Sequence, residues 1–279
     1  MLDYSQMMVG DYTISALSDG GLTADVACLS NIEIQEAHRI LERSGKSDPG
    51  KLNINCFLIQ GKGKTILVDS GAGGINQWGG QLPDQLRLQN IHPDEIDIIL
   101  LTHAHPDHIG GLLTHEDNVM FPNAMLYIHQ NEYDFWLSEF EFDQANERAK
   151  RNFTLARKVL ANYAGKINTF QKGEIISGIN AVPLPGHTPG HSGFLIESAE
   201  QRLLIWGDIV HFPEIQIAHP EVTIAFDYDK QEASLTRKQL LHEVSQQQLT
   251  ITGMHLVQSC FAKIHHINGE FVIDYPVNG

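Results

Sequence analysis

Between Ile96 and Gly111 an apolar run stops and three histidines and an aspartate follow within six residues: His103, His105, Asp107 and His108. The run Ile96 to Leu101 reads as a buried strand that ends at Thr102. A strand that stops at this point places the next residues on a loop at a sheet edge, where side chains can converge. His103 and His105 are separated by Ala104, so in extended backbone they point the same way. Asp107 and His108 open a helix, and Gly110-Gly111 permit close backbone approach. Neutral imidazole is the commonest metal ligand, and a carboxylate lowers the net charge of such a site. Histidine is frequent here, at 15 of 279 residues, so a single H-x-H would carry little weight. The H-x-H-x-D-H spacing directly after a buried strand carries much more.

Three further strand ends deliver the same residue types. Leu184-Pro185-Gly186-His187 follows one short apolar run, Ile205-Trp206-Gly207-Asp208 ends another, and Ile251-Thr252-Gly253-Met254-His255 ends a third. With the first cluster they make a set of seven candidate ligands. Strands are expected over Asp11 to Leu17, Ala124 to His129, Ala181 to Leu184, Gly193 to Glu197 and Arg202 to Trp206. A hairpin joins Asn55–Ile59 to Thr65–Asp69 through Gly61–Lys64. Leu249 to Thr252, Ala262 to Ile267 and Glu270 to Tyr275 form a last strand group. Helices are expected over Pro83 to Gln89 and Gln144 to Tyr163, and after a capping box at Asp229–Glu232. The stretch Arg43 to Gly50 reads as a connection. No stretch of linker composition separates the halves, so residues 1–279 are read as one domain of sheets packed under helices.

In order and spacing these motifs resemble the metallo-β-lactamase superfamily, over Asn55 through His255. Asp69-Ser70-Gly71 looks like its early strand end. The resemblance implies an α/β fold, an αββα four-layer sandwich with a binuclear site at the sheet edge. It implies one metal held by His103, His105 and His187, a second by Asp107, His108 and His255, and Asp208 bridging them. Zinc suits this N/O donor set; cobalt, manganese, nickel and iron compete. Asp69, His191 and His211 are candidates for orienting the ligands. Within the superfamily the chain is similar to the quorum-quenching lactonase and methyl parathion hydrolase branch. Gly207–His211, Pro213–Gln216, Val222–Asp227 and Glu132–Leu137 carry that likeness, whose members are homodimers.

The expected activity is lactone opening, of the N-acyl homoserine lactone type, by a hydroxide shared between two metals. Asp107 and Asp208 are the candidate catalytic carboxylates, and Asp107 can pass a proton to the leaving group. Aryl ester or phosphotriester hydrolysis is the alternative, and a mononuclear iron sulfur dioxygenase shares much of the ligand set. Di-iron redox relatives carry an acidic residue where His105 stands, which this chain lacks. Trp136 and Phe212, with Phe135 and Phe226, are candidate substrate-pocket residues, although Phe135-Trp136-Leu137 fits a buried helix face equally well.

A net charge of −15 argues against nucleic acid as a partner. Arg148, Lys150, Arg151, Arg157 and Lys158 read as the solvated face of a helix, leaving no cationic substrate surface. Cys28, Cys56 and Cys260 form no C-x-x-C pair, so a thiolate metal site is not expected. Met1–Gln6 has neither a basic start nor an apolar core, and no apolar run approaches about 18 residues. A cytoplasmic protein with a small-molecule substrate and no membrane partner is the expectation.

Overall fold

A computed structural model describes residues 5–45, 48, 50–257 and 261–275. Cys260 and part of the Arg43–Gly50 connection lie outside the described residues. The first half runs β1 (Gln6–Val9), β2 (Tyr12–Thr23), β3 (Leu29–Ser30), α1 (Ile34–Arg43), β4 (Lys51–Gly61), β5 (Lys64–Val68), α2 (Leu82–Leu88) and β6 (Ile98–Leu100). It continues through α3 (Pro106–Ile109), β7 (Met125–His129), α4 (Gln130–Leu137), α5 (Glu139–Gln144), α6 (Glu147–Asn162) and β8 (Ile167–Phe170). The second half contains β9 (Gly173–Ile176), β10 (Ile179–Pro183), β11 (Ser192–Ser198), β12 (Gln201–Ile205), α7 (Pro213–Gln216) and β13 (Thr223–Ile224). It ends with α8 (Lys230–Gln246), β14 (Thr250–Thr252), β15 (Ala262–Ile267) and β16 (Glu270–Asp274).

Two seven-stranded sheets result, ordered β1-β2-β4-β5-β6-β7-β8 and β16-β15-β14-β12-β11-β10-β9. Their facing surfaces share one core. Phe57, Ile59, Ile66, Val68, Ile98 and Leu100 of the first sheet meet Ile179, Phe194, Ile196, Leu203, Ile205 and Ile251 of the second. Alternate residues of the same strands, Cys56, Leu58, Leu67 and Ile99, turn the other way under Leu82 and Leu86 of α2 and Phe153, Ala156 and Val159 of α6. A strand segment covered on both faces is apolar at every position, which is why Cys56–Ile59, Ile66–Val68 and Ile98–Leu100 read as unbroken hydrophobic runs. On the second sheet, Leu240, Leu241 and Val244 of α8 supply the outer cover. The architecture is the expected αββα sandwich.

Strand direction decides where function can gather. β5, β6 and β7 are parallel, as are β12 and β14. β10 and β12 are each antiparallel to β11, so β10 runs with β12 and β14. The C-terminal ends of β6, β10, β12 and β14 each precede one of the ligand motifs. A backbone bond joins the two sheets there, Ser192 N–H donating to Thr102 O at 2.9 Å.

Several elements differ from the sequence reading. β2 is 12 residues long and bends at a register shift between Ser18 and Gly20, so the alternation read over Asp11 to Leu17 caught only part of it. Neither α1 nor the edge strands β1, β8 and β9 was anticipated. Each edge strand has only 4 residues, too few for a period-2 pattern. The hairpin turn is tighter than Gly61–Lys64: Lys62 and Gly63 alone make it, at φ 48° and 72°, the two-residue turn that suits twisted strands.

A buried carboxylate staples the loops behind the sheet edge. Glu132 accepts from Ala104 N–H at 2.9 Å, Trp136 Nε1–H at 2.6 Å, Thr188 Oγ1–H at 2.6 Å and Gly190 N–H at 3.0 Å. Its side chain thus ties the His103–His108 loop to the His187 loop. An amide at this position would turn an N–H towards donors. Glu132→Gln is expected to destabilise the fold by about 2–3 kcal/mol in chemical denaturation; a loss below about 0.5 kcal/mol would remove Glu132 from this role.

Candidate metal centre

The four motifs meet at the sheet edge. His103 follows β6, His187 follows β10, Asp208 follows β12 and His255 follows β14, while Asp107 and His108 lie on α3. Ligand-type atoms of His103, His105 and His187 lie within 4.8 Å of one another, as do those of Asp107, His108, Asp208 and His255. A third such group joins His187, Asp208 and His211. Asp208 belongs to the last two groups, and its Oδ2 also faces His103 of the first. Five imidazole Nε2 atoms surround this oxygen: His255 at 3.1 Å, His108 and His211 at 3.2 Å, His187 at 3.5 Å and His103 at 3.8 Å. Asp107 Oδ2 faces His108 Nε2 at 3.6 Å and His255 Nε2 at 3.7 Å.

The outer nitrogens of four of these five rings are committed elsewhere, and that fixes their tautomers, while His211 Nδ1 is buried without a hydrogen-bond partner. His108 Nδ1–H donates to Asp69 Oδ2 at 2.7 Å. His187 Nδ1–H donates to Asp227 Oδ1 at 2.9 Å, and His255 Nδ1–H to Asn53 O at 2.6 Å. His103 Nδ1–H donates to Thr102 Oγ1 at 3.1 Å, and that hydroxyl donates in turn to Asp69 Oδ2 at 2.7 Å. Each of those four rings, as the neutral imidazole, therefore points a lone pair inward. His103 Nε2 and His187 Nε2 lie 3.0 and 2.9 Å from His105 Nδ1. Lone pairs this close repel unless a cation sits between them. His108 Nε2 and Asp208 Oδ1 are buried without a hydrogen-bond partner, so polar atoms at the centre of the cluster lack a protein partner. The donor set and its orphaned atoms fit divalent ions.

Electrostatics divides the two groups. Burial, with the neighbouring His108, His105 and His187 rings, holds His103 well below the usual imidazole range. Burial and the His187 and His108 rings do the same to His105. For His108 burial acts downward, but Asp208, Asp107 and Asp69 outweigh it and raise the ring well above its ordinary value. Burial likewise opposes ionisation of Asp208, and the His108 and His255 rings overcome it and hold the carboxyl well below its usual range.

Backbone conformation sets Asp69 and Asp208 in place. Asp69 sits at φ 56°, a region few non-glycine residues occupy, and there its carboxylate also accepts from Thr102 N–H at 2.8 Å. Gly207, at φ 61°, precedes Asp208, and a Cβ on it would lie 2.3 Å from His191 Nε2. That contact explains His191. Its Nδ1–H donates to Leu184 O at 2.8 Å, and its Nε2 accepts from Asp208 N–H at 2.9 Å. Burial pushes the ring down to about 3, which keeps Nε2 free to accept. His191 positions Asp208 through its backbone, whereas His211 faces the Asp208 carboxylate itself.

Beside the cluster lies a cavity of about 710 Å³. Leu22, Leu52, Ile75, Trp78 and Phe226 form its apolar wall, and Asp107, Asp208 and His255 reach its floor. The expected pocket residues Trp136 and Phe212 do not line it. Trp136 is 2% exposed in the core against Phe135 and Phe153, its indole N–H held by Glu132. Phe212 is fully buried against α1, α7 and neighbouring apolar residues. Proximity in sequence to a ligand motif misled in both cases, because these rings pack behind the loops they belong to. Phe226 is where it was expected, while Trp78 was missed, lying in a glycine-rich loop without periodicity. The basic face of α6 also needs correction. Arg148, Arg151 and Lys158 line the cavity, so a cationic surface does face the site.

Asp227 and Arg237 were not singled out as orienting groups. Asp227 holds His187 and also accepts from Ile224 N–H at 3.0 Å. Arg237, 1% exposed, donates to the carbonyls of Ile209, Pro220 and Val222 and stands 4.0 Å from Asp227 Oδ2. Asp227 lies 40 residues from its partner histidine, and only the folded chain joins them.

The metallo-beta-lactamase superfamily profile matches residues 49–255, and the chain belongs to that superfamily. An N-acyl homoserine lactonase of Bacillus thuringiensis is 26% identical over 175 residues, 54% of this chain and 62% of its own. The uncharacterized protein YobT of Bacillus subtilis is 28% identical over 160 residues, 57% of this chain and 63% of its own. The chain thus matches less than two thirds of the length of these relatives. Among solved structures, AidC, a dizinc quorum-quenching lactonase in complex with a product N-hexanoyl-L-homoserine, superposes with a TM-score of 0.92 at 25% identity, covering 98% of this chain and 97% of its own. The hydrolase AbOPH in the beta lactamase superfamily superposes at 0.91 with 28% identity, covering 99% and 98%.

If Asp227 fixes the tautomer of His187, Asp227→Ala is expected to weaken metal binding by about 10–100-fold in chelator competition. Unchanged affinity would reduce Asp227 to a partner of Arg237.

Proposed function

We propose that this chain is a metal-dependent hydrolase with two divalent ions, zinc foremost, that opens lactones of the N-acyl homoserine lactone type. The observation that carries the proposal is the position of Asp208 Oδ2 among five inward-facing imidazoles, between two groups of candidate ligands. His103, His105 and His187 would hold one ion, and Asp107, His108 and His255 the other, with Asp208 shared. When bound, such a pair supplies an acidified water and an electrophile for the carbonyl oxygen.

The remaining tasks fall to the chain. Asp69, Asp227, Thr102 and Asn53 hold the ligand rings in one tautomer. The apolar wall of Leu22, Leu52, Ile75 and Trp78 offers an acyl chain a dry surface beside the site. Asp107, with its side chain 13% exposed at the cavity floor, can hold the proton that a departing alkoxide needs. The lactonase names of AidC and of the Bacillus thuringiensis relative support the substrate class. Aryl esters and phosphotriesters form a second reading, favoured by the rings of Trp78 and Phe226 in the cavity wall. The proposal includes a homodimer, for which exposed Leu137 and Phe140 on the adjoining α4 and α5 offer apolar surface.

A panel of acyl lactones, aryl esters, phosphotriesters and β-lactams on metal-quantified protein tests the reading. Lactones are expected to give the highest kcat/KM, and Asp208→Ala to lose about 10³-fold or more of it. A two-metal preparation that hydrolyses aryl esters but no lactone would move the assignment to the second reading.

A further inference from the structure

The cavity lining is of two unlike kinds. One part of the lining is apolar, and another is the exposed face of α6. Arg148, Arg151, Asn152, Leu155 and Lys158 fall at helical spacing on that face and line the cavity. The other face of the helix, through Phe153, Ala156 and Val159, is buried in the core, so the rotation of α6 is set by packing.

The charges on this wall are not balanced. Lys158 pairs with Asp117 across the rim. Arg148 and Arg151 make no ion pair and no side-chain hydrogen bond among the described residues, although both stand in a chain of net charge −15. The acids on the cavity floor, Asp107 and Asp208, belong to the ligand cluster. Arg148 is also held in place: its guanidinium lies over the Phe226 ring at 4.0 Å from the centroid. Phe226 adjoins Asp227, which grips His187, so the stacked guanidinium is registered to the metal centre. Partial burial, opposed by Asp107 and aided by repulsion from Arg151, lowers the Arg148 guanidinium from its ordinary value. Two neighbouring guanidinium groups that repel each other and lack a carboxylate partner form an anion seat. A planar fork that stacks and remains charged at neutral pH suits carboxylate or phosphate oxygens.

We propose that the cavity takes substrates bearing an anionic group away from the scissile bond, a carboxylate or phosphate that Arg148 and Arg151 bind while the ester or lactone lies over the metal centre. The inference rests on the hydrolase reading and narrows its substrate class from neutral acyl lactones to acidic ones. A polynucleotide does not fit, because two unpaired arginines inside a cavity do not make a basic stripe.

The test compares two ligands of equal acyl length, N-hexanoyl homoserine lactone and its ω-carboxylate, the N-adipoyl compound, together with their ring-opened products. In calorimetric titration of metal-loaded protein, the opened N-adipoyl compound is expected to bind about tenfold more tightly than the opened N-hexanoyl compound. The preference should fall as salt rises, hold between about pH 6 and 9 because arginine does not titrate there, and disappear in the Arg148→Gln/Arg151→Gln double variant. Retention of part of it in Arg148→Lys/Arg151→Lys would mark the role of charge. Equal binding by the wild type, or a preference that survives the double glutamine variant, overturns the inference. Turnover separates it from the broader reading. Anion-selective binding without hydrolysis of either lactone defeats the lactonase assignment alone, and hydrolysis of both at equal kcat/KM with no binding preference defeats the anion seat alone.

Discussion

The structure is organised around one carboxylate oxygen. Asp208 Oδ2 lies within 3.8 Å of five imidazole nitrogens, and the residue is 3% exposed. So many polar groups cannot be removed from water unless each finds a partner. The outer nitrogens of four of the rings find theirs in Asp69, Asp227, Thr102 and the Asn53 carbonyl, and their inner lone pairs are left facing one another. This arrangement makes sense as a receptacle for cations. It also explains the backbone around it: Gly207 has no Cβ because His191 must reach the Asp208 amide, and Asp69 adopts a left-handed conformation that places its carboxylate beneath both Thr102 and His108.

A frame that holds such a cluster must resist movement of the loops that carry it. The parallel strands β5 to β7 bring one set of loops to the sheet edge, and β10, β12 and β14 bring the other. Buried acids then tie loop to loop. Glu132 spans the His103 and His187 loops, and Asp19, fully buried, accepts from Ala72, Gly80 and Leu82 N–H at 2.8 to 2.9 Å. Close backbone contact does the rest: a Cβ on Gly110 or Gly111 would lie 2.1 Å from the Ala72 or Ser70 carbonyl. These features fix distances between residues far apart in the chain. The rigidity resides in hydrogen bonds to buried carboxylates as much as in apolar packing.

The candidate ligand motifs were legible because strand ends leave a local signature, an apolar run that stops at a histidine or aspartate. The sandwich was legible because doubly covered strands are continuously apolar. What escaped was non-local. Asp227 and Glu132 are ordinary acids in sequence, and their partners lie on other elements. Trp136 looked like a pocket residue from its neighbours, yet its ring faces the core because Glu132 captures the indole N–H. The basic residues of α6 satisfied the pattern of a solvated face, and Arg148, Arg151 and Lys158 are exposed as that pattern requires. The pattern could not tell that the solvent on that side is the interior of a cavity.

The claim beneath all of this is that Asp208 is shared between two ions. Anomalous diffraction from crystals grown with zinc addresses it directly. The account predicts two peaks, both within coordinating distance of the Asp208 carboxylate, one contacting His103, His105 and His187 and the other Asp107, His108 and His255. A single peak on the first three histidines, with His255 outside its reach, would contradict it.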